Sequence, residues 1–233
     1  MSRGLLRRLR AGPRGDVHLL LVPDTAASLR ALDVWVRPTD RRAARSMRHA
    51  ERRRSFLLGR ALLRRLVADL TGQPAPRQRL RLLRDRRPLH RATGRRRLAL
   101  SATHAAGWVV VAAAPGASAG RCIGIDVESR TRRLDPRIAR RLERGAADGH
   151  APTIEDWCRL EAVLKAEGRG LAALGRVERP RRRGLTDGLR LDDRHPGRVV
   201  AMRVPGLPRT LSGAVAVVPR LGPPGRGPQV PRR

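Results

Sequence analysis

Three carboxylates and one lysine are the side chains of this sequence with the clearest potential for chemistry. Asp126 and Glu128 alternate in residues 124–128, which read Gly-Ile-Asp-Val-Glu. Alternate side chains of a strand point the same way, so these carboxylates repel each other unless a cation, a proton or an arginine lies between them. Glu161 and Lys165 follow one helical turn apart. Carboxylates suit Mg²⁺ that holds a phosphate or pyrophosphate, and a nearby lysine can offset charge on a transferred group.

Lys165 is the only lysine in a chain whose Lys and Arg residues total 52. Lysine and arginine are equivalent on a solvated surface, but a guanidinium cannot replace a compact, rotatable ammonium where a point charge is needed. We therefore interpret Lys165 as functional. The alternatives are a lysine left by chance in an arginine-biased chain, and a surface salt bridge with Glu161 worth about 0.3 kcal/mol.

A hydroxyl beside a histidine forms the third group of interest. Ser101, Thr103 and His104 stand directly ahead of an apolar run. A hydroxyl and an imidazole in this position can bind a phosphate, although a lone histidine is more often structural.

The hydrophobic pattern indicates the elements that would position these residues. Strands are predicted at residues 16–22, 33–36, 80–83, 98–102, 108–114, 122–128, 189–191, 198–204 and 210–218. Helices are predicted from Pro38, over residues 55–70 and 136–144, and over the segment that carries Glu161 and Lys165. The small residues 116–120 predict a hinge.

The order of the elements indicates an internal duplication. We therefore predict an α+β fold of two pseudo-symmetric halves, each a small, mainly antiparallel sheet packed with a long helix. The halves are predicted at residues 16–118 and 119–219, with the metal site in the second half and a ligand groove between them. Residues 1–15 are predicted to be a disordered basic arm and residues 220–233 a disordered tail.

Composition limits the classes of partner. A formal net charge of +32 implies a polyanionic partner, but only 2% of the residues are aromatic, which argues against nucleic acid, whose bases stack on aromatic rings. Two cysteines in 233 residues indicate a reducing compartment. No apolar run is long enough to cross a membrane, so we expect a cytoplasmic protein without a membrane partner.

Two segments together resemble the signature motifs of a known enzyme family. They are residues 124–128 and residues 157–171, the second reading Trp-x-x-x-Glu-Ala-x-x-Lys-Ala-x-Gly-x-Gly-Leu. In this order they resemble the 4′-phosphopantetheinyl transferases of the surfactin-synthetase-activating type. The resemblance covers residues 34–218, and weaker parts of it match the family's Ser-His element, Lys-Pro turn and Arg-rich helix start.

The resemblance implies two pseudo-symmetric α+β halves with coenzyme A and Mg²⁺ between them. Phosphopantetheine would pass to a serine of an apo acyl- or peptidyl-carrier protein of fatty-acid, polyketide or nonribosomal peptide synthesis, leaving adenosine 3′,5′-bisphosphate. Carrier proteins of this kind are acidic, which would give the basic surface a partner. We expect a monomer.

The resemblance also implies a role for each matching residue. Asp126, Glu128 and Glu161 would bind the metal, Glu161 would be the general base, and Lys165 would lie near the pyrophosphate; Asp126 would also be essential for catalysis. The residues that would bind coenzyme A are Arg54, Arg87, Pro88, Thr103, His104 and Lys165.

The sequence departs from the family pattern at Leu160, where many members have a lysine, and the interval from Glu128 to Glu161 is short. Ser55 is an alternative to Arg54 for the family's arginine position. A different class of function stays open as well: a basic protein that binds nucleic acid or another polyanion without catalysis, with structural carboxylates. That alternative predicts nucleic-acid binding that depends steeply on salt concentration and does not depend on Asp126 or Glu161.

Overall fold

A computed structural model describes the chain over residues 6–11, 16–74, 80–82, 88–90, 98–115, 121–145, 151–167 and 200–219. Over these ranges the protein combines helices with antiparallel sheet, which confirms the α+β class. The strands are β1 (Arg7–Ala11), β2 (Val17–Pro23), β3 (Leu80–Leu82), β4 (Pro88–His90), β5 (Leu98–Ala105), β6 (Trp108–Pro115), β7 (Arg121–Ser129), β8 (Val200–Arg203) and β9 (Leu211–Pro219). The helices are α1 (Ala26–Ala31), α2 (Pro38–Arg45), α3 (Ala50–Thr71), α4 (Pro136–Gly145) and α5 (Ile154–Glu167).

Two antiparallel sheets organise these elements. One has six strands in the order β1-β2-β6-β5-β4-β3, and the other has three in the order β7-β9-β8. Among the described strands, β7 therefore lies at an edge of the smaller sheet, and it pairs along its whole length with β9.

The elements stack as four layers, α3 on the larger sheet, the larger sheet on the smaller one, and the smaller sheet on α5. Period-two alternation divides the apolar side chains of each strand between the two faces of its sheet. Leu58 and Leu62 of α3 pack with Val109 and Val111 of β6. Between the sheets lies a second core, which includes Leu19, Leu21, Val110, Ala112, Ile123, Ile125, Val127 and Val215.

A third core lies between the smaller sheet and the helices α4 and α5. Leu160, Val163 and Leu164 of α5 are buried there with Ala214 and Ala216 of β9. This confirms the predicted core-facing side of the helix. It also shows why position 160 accepts a leucine, since only 7% of that residue is exposed.

The predicted helix over residues 55–70 lies inside α3, which begins five residues earlier, at Ala50. The helix ends at Gly72, whose φ of 70° is in the left-handed region that favours glycine. In the described ranges, no helix combines the length and the apolar character that a membrane crossing requires.

The prediction of a disordered arm over residues 1–15 is wrong for Arg7–Ala11, which form β1. Pairing with β2 satisfies the backbone, and Leu9 and Ala11 join the core between the sheets. Two of the arginines find partners in the fold: Arg8 forms an ion pair with Asp69 at 2.9 Å, and Arg7 lies over the ring of Trp108.

The predicted strand at residues 33–36 is also wrong, because Asp33–Trp35 form a 3₁₀ turn between α1 and α2. The buried guanidinium of Arg64 donates to the carbonyl oxygen of Trp35 at 2.9 Å and holds the turn. The predicted hinge at residues 116–120, the strand at 189–191 and the tail at 220–233 lie outside the described residues.

Candidate metal centre

Helix α5 lies directly against β7 because Gly124 has no side chain. A Cβ atom at this position would lie 1.9 Å from the carbonyl oxygen of Ala162 and 2.6 Å from the amide nitrogen of Ala166. Gly124 shares its strand face with Asp126 and Glu128, so the close approach brings the helix to both carboxylates. Ile125 and Val127 point the other way, into the core between the sheets, as the alternation predicts.

Three carboxylates meet at this contact. Oxygens of Asp126, Glu128 and Glu161 all lie within 4.8 Å of one another. Burial raises the pKa of Glu128 and of Glu161 above the usual glutamate value, and the carboxylate of Asp126 raises both further. One buried and two half-buried carboxyl groups at this spacing favour a bound cation, because a cation removes their mutual repulsion.

Lys165 reaches the same cluster. Its Nζ lies 2.6 Å from Oδ1 of Asp126 and 3.5 Å from Oε1 of Glu161. Burial lowers the pKa of Lys165, but these two carboxylates outweigh it, so the pKa is raised above the usual lysine value. The interpretation of Glu161 and Lys165 as an ordinary surface salt bridge does not describe this geometry, since the closer partner of the ammonium is Asp126 on another element.

The two oxygens of Asp126 have different surroundings. Oδ1 accepts hydrogen bonds from Lys165 and, at 3.1 Å, from the hydroxyl of Thr103. Oδ2 is buried and makes no hydrogen bond within the part of the chain that the structure describes. A buried carboxylate oxygen without a partner is costly, and a divalent cation would satisfy it. The donor set of three carboxylates therefore fits a hard cation such as Mg²⁺.

Cys158 is buried one turn before Glu161, and its Sγ donates weakly to the carbonyl oxygen of Ser212 at 3.7 Å. Burial, reinforced by the carboxylates of Asp126 and Glu128, raises the pKa of the thiol above its usual value. The sulfur is thus protonated at neutral pH.

Thr103 and His104, which the sequence analysis placed together, point to opposite faces of β5. Thr103 is buried and faces the carboxylate cluster, whereas His104 is exposed on the face that α3 covers. His104 pairs with Val109 of β6. Cγ1 of Val109 is 3.9 Å from the position that a Cβ at Gly59 of α3 would occupy, so this face of the sheet is the one against α3. The structure therefore brings Thr103, and not His104, to the carboxylate cluster.

Arg54 lies near the N-terminal end of α3 and forms an ion pair with Asp24, with Nε at 2.7 Å from Oδ1. Ser55, the alternative for that position, donates its hydroxyl to the second oxygen of the same aspartate. Pro88 begins β4, and Arg87 lies outside the described residues.

Sequence reasoning missed Asp24, and it also missed Arg132, which forms an ion pair with Glu128. With 52 strongly basic residues in the chain, no single arginine is conspicuous. The four-residue spacing from Glu128 to Arg132 carried no signal either, because that rule holds for helices and this segment is the end of a strand and a turn.

A further motif in the sequence is Gly-Ala-Ser-Ala-Gly at residues 116–120, which fits the nucleophile pattern of serine hydrolases. Such a nucleophile stands on a turn from a strand into a helix. Here β6 ends at Pro115 and β7 begins at Arg121, so the following element is a strand. The described residues on either side of the motif therefore do not provide the strand-to-helix context.

Beside the smaller sheet lies a basic cleft of about 750 Å³. It is lined by Arg130, Arg203 and Arg209 together with apolar residues such as Leu207, and none of the described residues that line it is acidic. Ser212 also lines the cleft and pairs directly with Glu128 across the sheet. The basic cleft therefore borders β9, the strand that pairs with β7, and β7 carries two of the three carboxylates.

The chain matches no model of a known protein family, and no curated protein is significantly similar to it. Its function has to be inferred from the site. A cluster of three carboxylates, one ammonium and a hydroxyl can hold a divalent cation and stabilise negative charge on a phosphate group.

Proposed function

We propose that the protein is an Mg²⁺-dependent 4′-phosphopantetheinyl transferase that acts on coenzyme A and an apo acyl- or peptidyl-carrier protein. The observation that carries the proposal is the cluster of Asp126, Glu128 and Glu161 with Lys165 in direct contact. These four residues come from two separate segments, and the same segments carry the resemblance to the family. Oδ2 of Asp126 has no hydrogen-bond partner among the described residues, which adds a physical need for a cation at that point.

In the proposed reaction the carrier serine attacks the phosphorus next to the pantetheine arm. The bond from that phosphorus to the bridging oxygen breaks, and adenosine 3′,5′-bisphosphate leaves. Asp126, Glu128 and Glu161 would hold Mg²⁺, which when bound neutralises charge on the pyrophosphate. Glu161 would take the serine proton, a task that its raised pKa favours. Lys165 would stabilise the charge that develops on the leaving oxygen.

We also propose that the two sheets belong to two pseudo-symmetric halves with coenzyme A between them. Each sheet is antiparallel and packs against one longer helix, α3 or α5, which supports the proposal. Arg54 and His104 lie on the α3 side, and with Arg87 and Pro88 they would hold the adenosine end of coenzyme A. Thr103 faces the carboxylate cluster, where its hydroxyl donates to Asp126.

The direct test is incubation of the protein with coenzyme A, Mg²⁺ and a panel of apo carrier proteins. Intact-mass measurement should show the gain of one phosphopantetheine group on a serine, and chelation of the metal should prevent it. No gain on any carrier contradicts the proposal. Tight nucleic-acid binding at physiological salt, unchanged by loss of Asp126, would instead support the non-catalytic polyanion-binding alternative.

Replacing Lys165 with arginine should lower the turnover number by about 100-fold, the order of loss expected when one stabilising donor is misplaced. The planar guanidinium keeps the charge but cannot reproduce the compact contact with Asp126 and Glu161. Thermal unfolding should change little, since the ion pair persists in altered form. Steady-state kinetics check this, and a fully active arginine variant would remove Lys165 from the mechanism.

The basic cleft suggests where an acidic carrier protein is held. The double variant Arg203→Glu and Arg209→Glu should raise the KM for the carrier by about tenfold or more and leave kcat nearly unchanged, because charge reversal acts on encounter and not on chemistry. The matched control is Arg42→Glu with Arg45→Glu on the exposed side of α2. An equal effect of both double variants would show that only net charge matters.

A further inference from the structure

Two side chains on the same face of strand β5, two residues apart, form hydrogen bonds with β7. The hydroxyl oxygen of Ser101 accepts a hydrogen bond from the backbone N–H of Ile125 at 3.0 Å. Two residues along, the hydroxyl of Thr103 donates to Oδ1 of Asp126 at 3.1 Å. Both hydroxyl residues are at least nine-tenths buried. The larger sheet thus holds the backbone next to Asp126 with one side chain and the carboxylate itself with the other.

Thr103, Lys165 and Asp126 form a closed polar triangle. Lys165 Nζ lies 3.4 Å from the Thr103 hydroxyl oxygen and 2.6 Å from Asp126 Oδ1. Because an ammonium can only donate, the threonine oxygen accepts from it, which directs the hydroxyl hydrogen to Oδ1. Oδ1 therefore has two donors.

The consequence concerns the other oxygen. With Oδ1 held by two donors from two different elements, the side chain of Asp126 cannot rotate without breaking both bonds. Oδ2 is left buried and without a partner among the described residues, on a carboxylate that is only 3% exposed. The protein thus fixes Oδ1 of Asp126, and Oδ2 is available to a ligand.

We propose that Thr103 is a positioning residue for the metal site, which orients Asp126 so that Oδ2 faces the cation. This inference rests on the proposed metal-dependent function. It differs from the expectation drawn from the family resemblance, in which Thr103 would contact the phosphate and adenosine end of coenzyme A. The hydroxyl of Thr103 acts through Asp126 and touches no substrate.

The test is a titration of the full-length protein with Mn²⁺, which prefers the same oxygen ligands as Mg²⁺ and whose free form gives an electron paramagnetic resonance signal. Thr103→Val keeps the shape but removes the hydroxyl. We expect it to weaken Mn²⁺ binding by about tenfold or more, the range seen when hydrogen-bond partners of metal ligands are lost. Thr103→Ser restores the hydroxyl and should bind Mn²⁺ nearly as well as wild type.

The control is Thr71→Val, which removes a hydroxyl that donates to the carbonyl oxygen of Val67 in α3, away from the cluster. It should leave Mn²⁺ affinity unchanged. If Thr103→Val fails to fold by circular dichroism, Thr103→Ala replaces it in the titration.

Equal Mn²⁺ affinity of wild type and Thr103→Val overturns the inference, as does a wild-type protein that binds no Mn²⁺. A higher KM for coenzyme A with unchanged Mn²⁺ affinity would also overturn it, since a phosphate contact would give that result. The two proposals can fail separately. A protein that modifies no carrier but loses Mn²⁺ on Thr103→Val contradicts the transferase and leaves the role of Thr103 standing.

Discussion

Asp126→Asn is expected to abolish transfer of phosphopantetheine and to weaken Mn²⁺ binding by more than about 100-fold. Loss of a residue that only forms a hydrogen bond to a metal ligand already costs up to about 100-fold, and Asp126 would be a ligand itself. Asparagine has the same shape and can still accept from Thr103 and Lys165 through its amide oxygen. It lacks the negative charge and offers an NH₂ group where Oδ2 now stands. The loss should therefore be one of metal affinity, visible in the Mn²⁺ titration before any activity is measured.

The same variant should change the free energy of unfolding by only about 1 kcal/mol, because two electrostatic effects oppose each other. Losing the ion pair with Lys165 destabilises the fold, but removing one of three neighbouring carboxylates relieves repulsion on Glu128 and Glu161. The matched control is Asp33→Asn, which removes a carboxylate that is 55% exposed and pairs with Arg41. If Asp126→Asn retains wild-type activity, the carboxylate cluster is not the reaction centre.

Gly124→Ala is expected to destabilise the fold by about 3 kcal/mol or more, at or above the usual cost of overpacking a core. The added methyl group would overlap the backbone oxygen of Ala162, 1.9 Å away, and backbone atoms cannot rotate aside. Helix α5 would have to move off β7 and carry Glu161 and Lys165 with it. Urea unfolding followed by tryptophan fluorescence, to which the buried Trp157 contributes, measures the loss, and Mn²⁺ affinity should fall in parallel.

Gly59→Ala is the natural control, since Gly59 also lies at a contact between a helix and a strand, in this case on the helix. A Cβ there would be 3.9 Å from the nearest atom, Cγ1 of Val109, which is ordinary contact. Alanine should therefore stabilise α3 by about 0.5–1 kcal/mol through its higher helix propensity. Equal unfolding free energies for the two variants would show that α5 is free to shift.

Much of the fold near the site follows from local periodicity. Alternation in β7 separates Asp126 from its apolar neighbours, and the apolar stripe of α5 places Leu160, Val163 and Leu164 in the core. These patterns are visible because each element has one face in a core. That the strand and the helix are neighbours is less evident in the sequence, since Gly124 specifies the contact only through the absence of a side chain.

The side of β5 on which a residue lies was harder to predict. The predicted strand ends at residue 102, so nothing in the sequence separates Thr103 from His104. The observed strand continues to Ala105, and alternation then places the two residues on opposite faces. Strand ends are decided by pairing partners, in this case β6, and residues 98–105 alone do not contain that information.

Strand β1 shows a different limit. Three of its five residues are arginines, a composition typical of a solvated arm. What makes it a strand lies elsewhere in the chain: β2 provides the hydrogen bonds, Asp69 an ion pair and Trp108 an aromatic face. None of these partners lies within residues 7–11, so the composition of that segment predicted the wrong state.

The single lysine of the chain also makes the site spectroscopically addressable. Protein labelled with ¹⁵N only in lysine side chains would carry one labelled ammonium, Lys165 Nζ, in contact with Asp126 and Glu161. Its resonance needs no assignment by mutation. Chemical shift and proton exchange of that one group would report, in the native protein, when the neighbouring carboxylates change their charge or their partner.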